Sequence, residues 1–154
     1  MDMEQKEVLC RPARPDDVDD LLPLLEMLFA LEEDFVFHAE RQRRGLELLL
    51  ASPSACVLVA EADGCVVGMC SGQLTISTAE GGPALLVEDV AVALPWRGQG
   101  IAPRLLDLLA AWATQQGAGR MQLVADRNNT PALAFYDHLG WRRTQLFCLR
   151  KYTV

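Results

Sequence analysis

The chain has 154 residues, 51% of them hydrophobic and 23% charged, with 14 basic and 21 acidic side chains giving a formal net charge of −7. That composition suits one globular domain able to bury a core without metal or disulfide staples, and it excludes disordered, collagen-like and low-complexity chains. The acidity argues against a nucleic-acid binder, which needs a basic face.

No apolar run reaches the roughly 18 residues of a membrane span, and the polar start MDMEQKEVLCRP is unlike a signal peptide. The expected setting is therefore cytoplasmic, with no membrane and no nucleic-acid partner. The five cysteines, Cys10, Cys56, Cys65, Cys70 and Cys148, include no C-x-x-C pair. Most sit in apolar runs, where a reduced thiol packs as a small hydrophobe. His38 and His138 stand in no ligand motif, so no metal is expected.

In chain order, residues 8–11 read as a short strand closed by Pro12 and Pro15. Val18, Leu21, Leu22, Leu25, Leu28 and Phe29 follow at helical spacing, with Asp16 as the expected N-cap. Pro23 predicts a kink there, or a short first turn before the main helix. Residues 32–37 read as a loop and residues 39–50 as a second helix that stops before Ser52-Pro53. Residues 55–62 and 65–78 are two apolar strands joined by Asp63-Gly64, a pair suited to a turn whose two central residues need positive φ. Residues 84–93 form another strand. After Pro95-Trp96-Arg97-Gly98-Gln99-Gly100, residues from Ile101 onward keep helical spacing until Gly117, the expected C-cap. Residues 121–125 are a strand, 130–139 a short helix and 145–152 a closing strand. The order β-α-α-β-β-β-α-β-α-β predicts one α/β domain over residues 1–154 with a mixed sheet.

The strand that runs into Arg97-Gly98-Gln99-Gly100-Ile101-Ala102 and then a helix is the sharpest feature. Two glycines allow a tight turn, and a helix start presents unpaired N–H groups that suit a phosphate. The same pattern also fits an ordinary glycine-bearing turn. It is neither a P-loop, since no Gly-Lys-Ser/Thr follows, nor a dinucleotide fingerprint, since Pro103 stands where a third glycine belongs.

Arg97-x-x-Gly100-x-Ala102 resembles the R/Q-x-x-G-x-G/A signature of the GNAT superfamily of acetyl-CoA-dependent N-acetyltransferases. Asn129-Thr-Pro-Ala-Leu-Ala-Phe135-Tyr136-Asp-His-Leu139-Gly140-Trp141 resembles that family's N-x-x-A-x-x-F-Y-x-x-L-G-F/W block. The two blocks stand one helix and one strand apart, as in the family.

The resemblance implies a central sheet with a splayed pair of strands holding the cofactor. It also implies transfer of an acetyl group from acetyl-CoA to a primary amine by direct attack in a ternary complex, since no cysteine lies in either block. By this resemblance, backbone groups of Val90, Ala91 and Val92 pair with the pantetheine arm. Arg97, Gly98, Gln99, Gly100, Ile101 and Ala102 cradle the diphosphate, and Asn129 hydrogen-bonds the cofactor. Tyr136 protonates the departing thiolate. Pro103 lacks an N–H that many relatives present, so the diphosphate is expected to lean on Gly98, Gly100 and Arg97, helped by Arg104.

Glu88 is the candidate base, with Asp89 in reserve. Strand parity puts these two acids on opposite faces unless a bulge resets them. Glu33 and Asp34, in the region that lines the acceptor pocket in the family, are candidate acceptor-binding carboxylates. The acceptor itself, a small-molecule or peptide amine, is left open, and the resemblance also implies a homodimer. A catalytically silent acyl-CoA-binding sensor or regulatory subunit is the alternative from another class.

Overall fold

Five strands make one sheet in the computed structural model, which describes residues 7–32 and 35–154. They are β1 (Val8–Pro12), β2 (Ala55–Ala62), β3 (Cys65–Ser77), β4 (Gly82–Val92) and β5 (Met121–Gln122), in that spatial order. β1 to β4 pair antiparallel and β5 runs parallel to β4, so the sheet is mixed as expected. The helices are α1 (Val18–Ala30), α2 (Ala39–Ala51), α3 (Ile101–Gln115) and α4 (Thr130–His138). The chain divides into two compact units at Gln122 and Leu123. The whole sheet and α1 to α3 belong to the first unit, and α4 belongs to the second.

Alternation along the strands sorts the core of the first unit. Val57, Val59, Met69 and Ala91 pack in one buried cluster with Val18, Leu21, Leu22, Leu24 and Leu25 of α1 and Leu46 of α2. Ile101, Leu105, Leu106, Leu109 and Ala113 form the buried stripe of α3. This stripe meets the sheet where Cys70 Sγ lies 3.7 Å from the Leu105 carbonyl and Ile101 lies over Gly68. The Asp63-Gly64 turn has φ of 52° and 76°, the left-handed pair that a two-residue hairpin requires.

Two local expectations are corrected. Asp16 does not cap α1. A 3-10 turn at Pro15–Asp17 precedes the helix, and Asp17 holds it by accepting the Arg14 N–H at 2.7 Å. The same carboxylate takes a two-pronged bond from the Arg11 guanidinium at 2.8 and 2.9 Å, which holds its pKa below the usual carboxylate range. Pro23 sits within a continuous α1 on its exposed side, so the missing N–H does not break the helix.

At the other end, β5 stops at Gln122, and residues 145–152 form no strand. The second unit contains no strand to supply a ladder partner. Leu146, Phe147 and Leu149 stay exposed there.

Candidate active site

The site is built on an irregularity in β4. Met69 faces Ala91 and Ser71 faces Glu88, so Cys70 on β3 stands opposite two residues, Asp89 and Val90. That extra residue is a β-bulge, and Asp89 accommodates it with φ of 54°, a left-handed conformation that aspartate tolerates better than most residues. The bulge resets the alternation on which the two acids were placed. Glu88 is solvent-exposed, whereas Asp89 is half-buried. Burial pushes the Asp89 carboxyl up to about 6, and the negative charges of Glu88 and Glu32 push in the same direction. The nearby Ser71 hydroxyl opposes them. Ser71 is 1% exposed, and its hydroxyl donates to the Glu88 carbonyl at 3.1 Å. Its signal in the sequence is a lone hydroxyl inside the apolar run CVVGMCSGQL.

Beyond the bulge, β4 has a free edge. β5 pairs only with Leu85 and Leu86, so among the described residues no strand covers that side of β4 from Val87 to Val92. Ala93 donates its N–H to Val67 on β3 at 2.8 Å. By alternation, Val92 turns its backbone groups to the open side. Arg97 Nε reaches back to the Val92 carbonyl at 2.9 Å, and its Nη2 lies 3.3 Å from Met27 Sδ.

The turn itself is shaped by Gly98 and Gly100, with φ of 75° and 77°. Gly100 is the N-cap of α3. Among the described residues, the N–H groups of Gly98, Gln99, Gly100, Ile101 and Ala102 carry no intrachain hydrogen bond. Gln99 folds its side chain back toward the Pro95 carbonyl at 3.4 Å, and the Ile101 side chain is in the core, so these residues offer backbone rather than side chain. Arg104, expected to help at the diphosphate, donates one guanidinium N–H to the Val8 carbonyl at 2.9 Å and so ties α3 to β1.

In the second unit, Asn129 caps α4 by accepting the Ala132 N–H on Oδ1 at 3.2 Å, a structural duty typical of asparagine before a helix. Tyr136 is half-buried on α4 and meets Phe135 and Trp141 edge-on, with ring centroids 5.1 and 5.7 Å away. Glu33 and Asp34 lie outside the described residues. Among the described residues no group of His, Cys, Asp and Glu is placed to hold a metal ion, and no helix is long and apolar enough to cross a membrane.

An open strand edge that runs into an amide-lined turn suits an extended ligand with an anionic end. Residues 23–141 match the family model described as the acetyltransferase (GNAT) family, and the chain belongs to that family. Mouse N-alpha-acetyltransferase 80 is 42% identical over 59 residues, which are 38% of this chain and 18% of that protein. The match therefore spans less than a fifth of that curated relative. An aminoglycoside N-acetyltransferase solved in complex with CoA has a TM-score of 0.85 at 17% identity, covering 100% of both chains. A ribosomal-protein-alanine N-acetyltransferase from Brucella melitensis biovar Abortus 2308 has a TM-score of 0.76 at 23% identity, covering 95% of this chain and 99% of its own. At such identities the likeness to these two structures is one of fold.

Proposed function

We propose that the chain transfers the acetyl group of acetyl-CoA to a primary amine by direct attack. The observation that carries this reading is the bulge in β4. It sets a half-buried carboxyl, Asp89, at the head of an open strand edge that leads to an amide-lined turn.

The pantetheine arm of acetyl-CoA pairs along Val90, Ala91 and Val92 as an added strand. The diphosphate sits on the N–H groups of Gly98, Gln99, Gly100, Ile101 and Ala102, at the positive end of α3 and near the Arg97 guanidinium. Asn129 offers its remaining amide N–H groups to the cofactor.

The acceptor arrives as an ammonium ion, small-molecule or peptidic, drawn by the charges of Glu88, Glu32 and Asp89. Its proton passes to the Asp89 carboxylate, whose pKa of about 6 keeps it mostly ionised yet usefully basic at neutral pH. Asp89 takes this role in place of Glu88 because burial raises the proton affinity of its carboxyl. The amine nitrogen then attacks the thioester carbonyl carbon, with backbone amides of the splayed strand facing the oxyanion. As the carbonyl re-forms, the C–S bond breaks and the thiolate takes a proton from the Tyr136 hydroxyl.

A cysteine acyl-enzyme is disfavoured at this site. Cys70 stands opposite the bulge, but it is fully buried and its thiol is held well above the usual range.

Initial-rate kinetics with acetyl-CoA and a responsive amine test the route. Intersecting double-reciprocal lines are expected, and parallel lines would indicate an acyl-enzyme instead. Tyr136→Phe is expected to lower kcat by about 100-fold while acetyl-CoA binding persists. An unchanged kcat would remove Tyr136 from the proton path.

A further inference from the structure

The turn after β4 carries a side chain back across the open strand edge. A 3-10 turn at Leu94–Trp96 follows the strand, with the Trp96 N–H donating to the Ala93 carbonyl at 2.9 Å. Arg97 leaves that turn in extended backbone, at φ −70° and ψ 155°. From there its Nε donates to the Val92 carbonyl at 2.9 Å, and its Nη2 lies 3.3 Å from Met27 Sδ on α1. The guanidinium thus straps the end of β4 to α1. An added strand runs about 4.8 Å from the strand it pairs with. A group held 2.9 Å from an edge carbonyl therefore stands inside the strip that an added strand needs. We propose that Arg97 selects the acyl donor: it holds the Val92 carbonyl against a pantetheine arm that carries no diphosphate and yields it to one that does. This rests on the reading in which the pantetheine arm pairs with Val90 to Val92 and the diphosphate lies at the glycine turn.

The balance of hydrogen bonds gives this selection its sign. In the strapped arrangement the guanidinium holds one neutral carbonyl and one thioether, which is a weak acceptor. Arg97 is exposed, and among the described residues no ion pair involves it, so the strap can be displaced. A bare pantetheine arm that displaces it puts its own amide N–H on the Val92 carbonyl, and the bond that Arg97 loses goes uncompensated. A donor with a diphosphate more than restores that loss, because a bond between two charged groups is about twice as strong as one to a neutral acceptor. Arg97 adjoins the N–H groups of Gly98 to Ala102 in the chain, so the exchange needs only its own side-chain torsions. The same residue thus opposes the arm and rewards the diphosphate.

The test compares binding of pantetheine and of CoA to the full chain, which needs no turnover. Wild type is set beside Arg97→Ala and Arg97→Met, the second keeping a long stem without donors or charge. Backbone amide NMR shifts follow pantetheine and report folding, and calorimetry follows CoA. Both variants are expected to bind pantetheine about three- to tenfold more tightly than wild type, and CoA more weakly by a similar factor. The opposite signs are what distinguish a selecting strap from a plain phosphate ligand, whose loss would weaken CoA and leave pantetheine unchanged. A folded variant that binds pantetheine no more tightly than wild type overturns the proposal. Failure of the underlying cofactor reading is seen separately in wild type, where CoA would then leave the amides of Val90 to Val92 unshifted.

Discussion

Asp89 holds a conformation and an environment that both disfavour it, a left-handed backbone and a half-buried carboxyl crowded by two like charges. Its folded pKa is raised to about 6 from the ordinary 3.8, so between those values the folded state binds more protons than the unfolded one. Stability is therefore highest at low pH, falls as pH rises through that window, and stays lower above it. Asp89→Asn removes the titration and keeps a residue that tolerates positive φ. We expect the variant to be more stable than wild type at pH 8 by roughly 2 kcal/mol and nearly equal to it at pH 4. Its kcat/KM should drop by about 100-fold. Thermal melts at the two pH values, together with the rate, check this. A variant that is no more stable at pH 8 would mean that Asp89 is not strained by its charge. Such a gain of stability with loss of activity marks a site held ready for chemistry.

Among the elements, β4, the glycine turn and α3 form one strand-turn-helix unit, and the turn is where a substitution separates binding from chemistry. Gly100→Ala puts a Cβ on a residue with φ of 77°, at a strain of about 1–2 kcal/mol, and tilts the N–H groups at the start of α3. About tenfold weaker CoA binding is expected by calorimetry, with kcat at saturating acetyl-CoA little changed. An unaltered affinity would take the turn out of the cofactor site. Much of this unit was legible in the sequence, because glycines before a helical stripe have a local cause. The bulge was not. Nothing in Val-Glu-Asp-Val shows that an extra residue has slipped into the ladder, since that depends on which β3 residues lie opposite. For the same reason the choice between Glu88 and Asp89 could not be made from parity. The tie that Arg104 makes from α3 to β1 and the cap that Asn129 puts on α4 were not legible for a related reason, because such bonds are chosen by neighbours far away or by backbone geometry. Alternation in residues 145–152 shows what a strand there would present, but a strand also needs a partner, and the second unit has none.

Over the whole molecule, the net charge of −7 suits the positively charged amine proposed as acceptor. Solubility alone accounts for many acidic proteins, so the weight rests on where three of these charges stand: Glu32, Glu88 and Asp89 act together at the bulge. The two motif blocks, Arg97-x-x-Gly100-x-Ala102 and Asn129 to Trp141, carried the resemblance that places the chain among the acetyltransferases, and the order of elements agrees with it. The acceptor was not legible, since the carboxylates proposed to attract it, Glu32 and the Glu88–Asp89 pair, stand far apart in the sequence. The most direct test is release of the CoA thiol from acetyl-CoA across a panel of small-molecule and peptide amines, with acetyl-CoA binding followed by thermal shift in the same samples. We expect amine-dependent release that is greatest for amines carrying extra positive charge and is lost in Asp89→Asn while binding persists. Binding of acetyl-CoA with no release above hydrolysis for any amine would contradict catalysis and leave a silent acyl-CoA binder, and no binding at all would contradict the cofactor assignment itself.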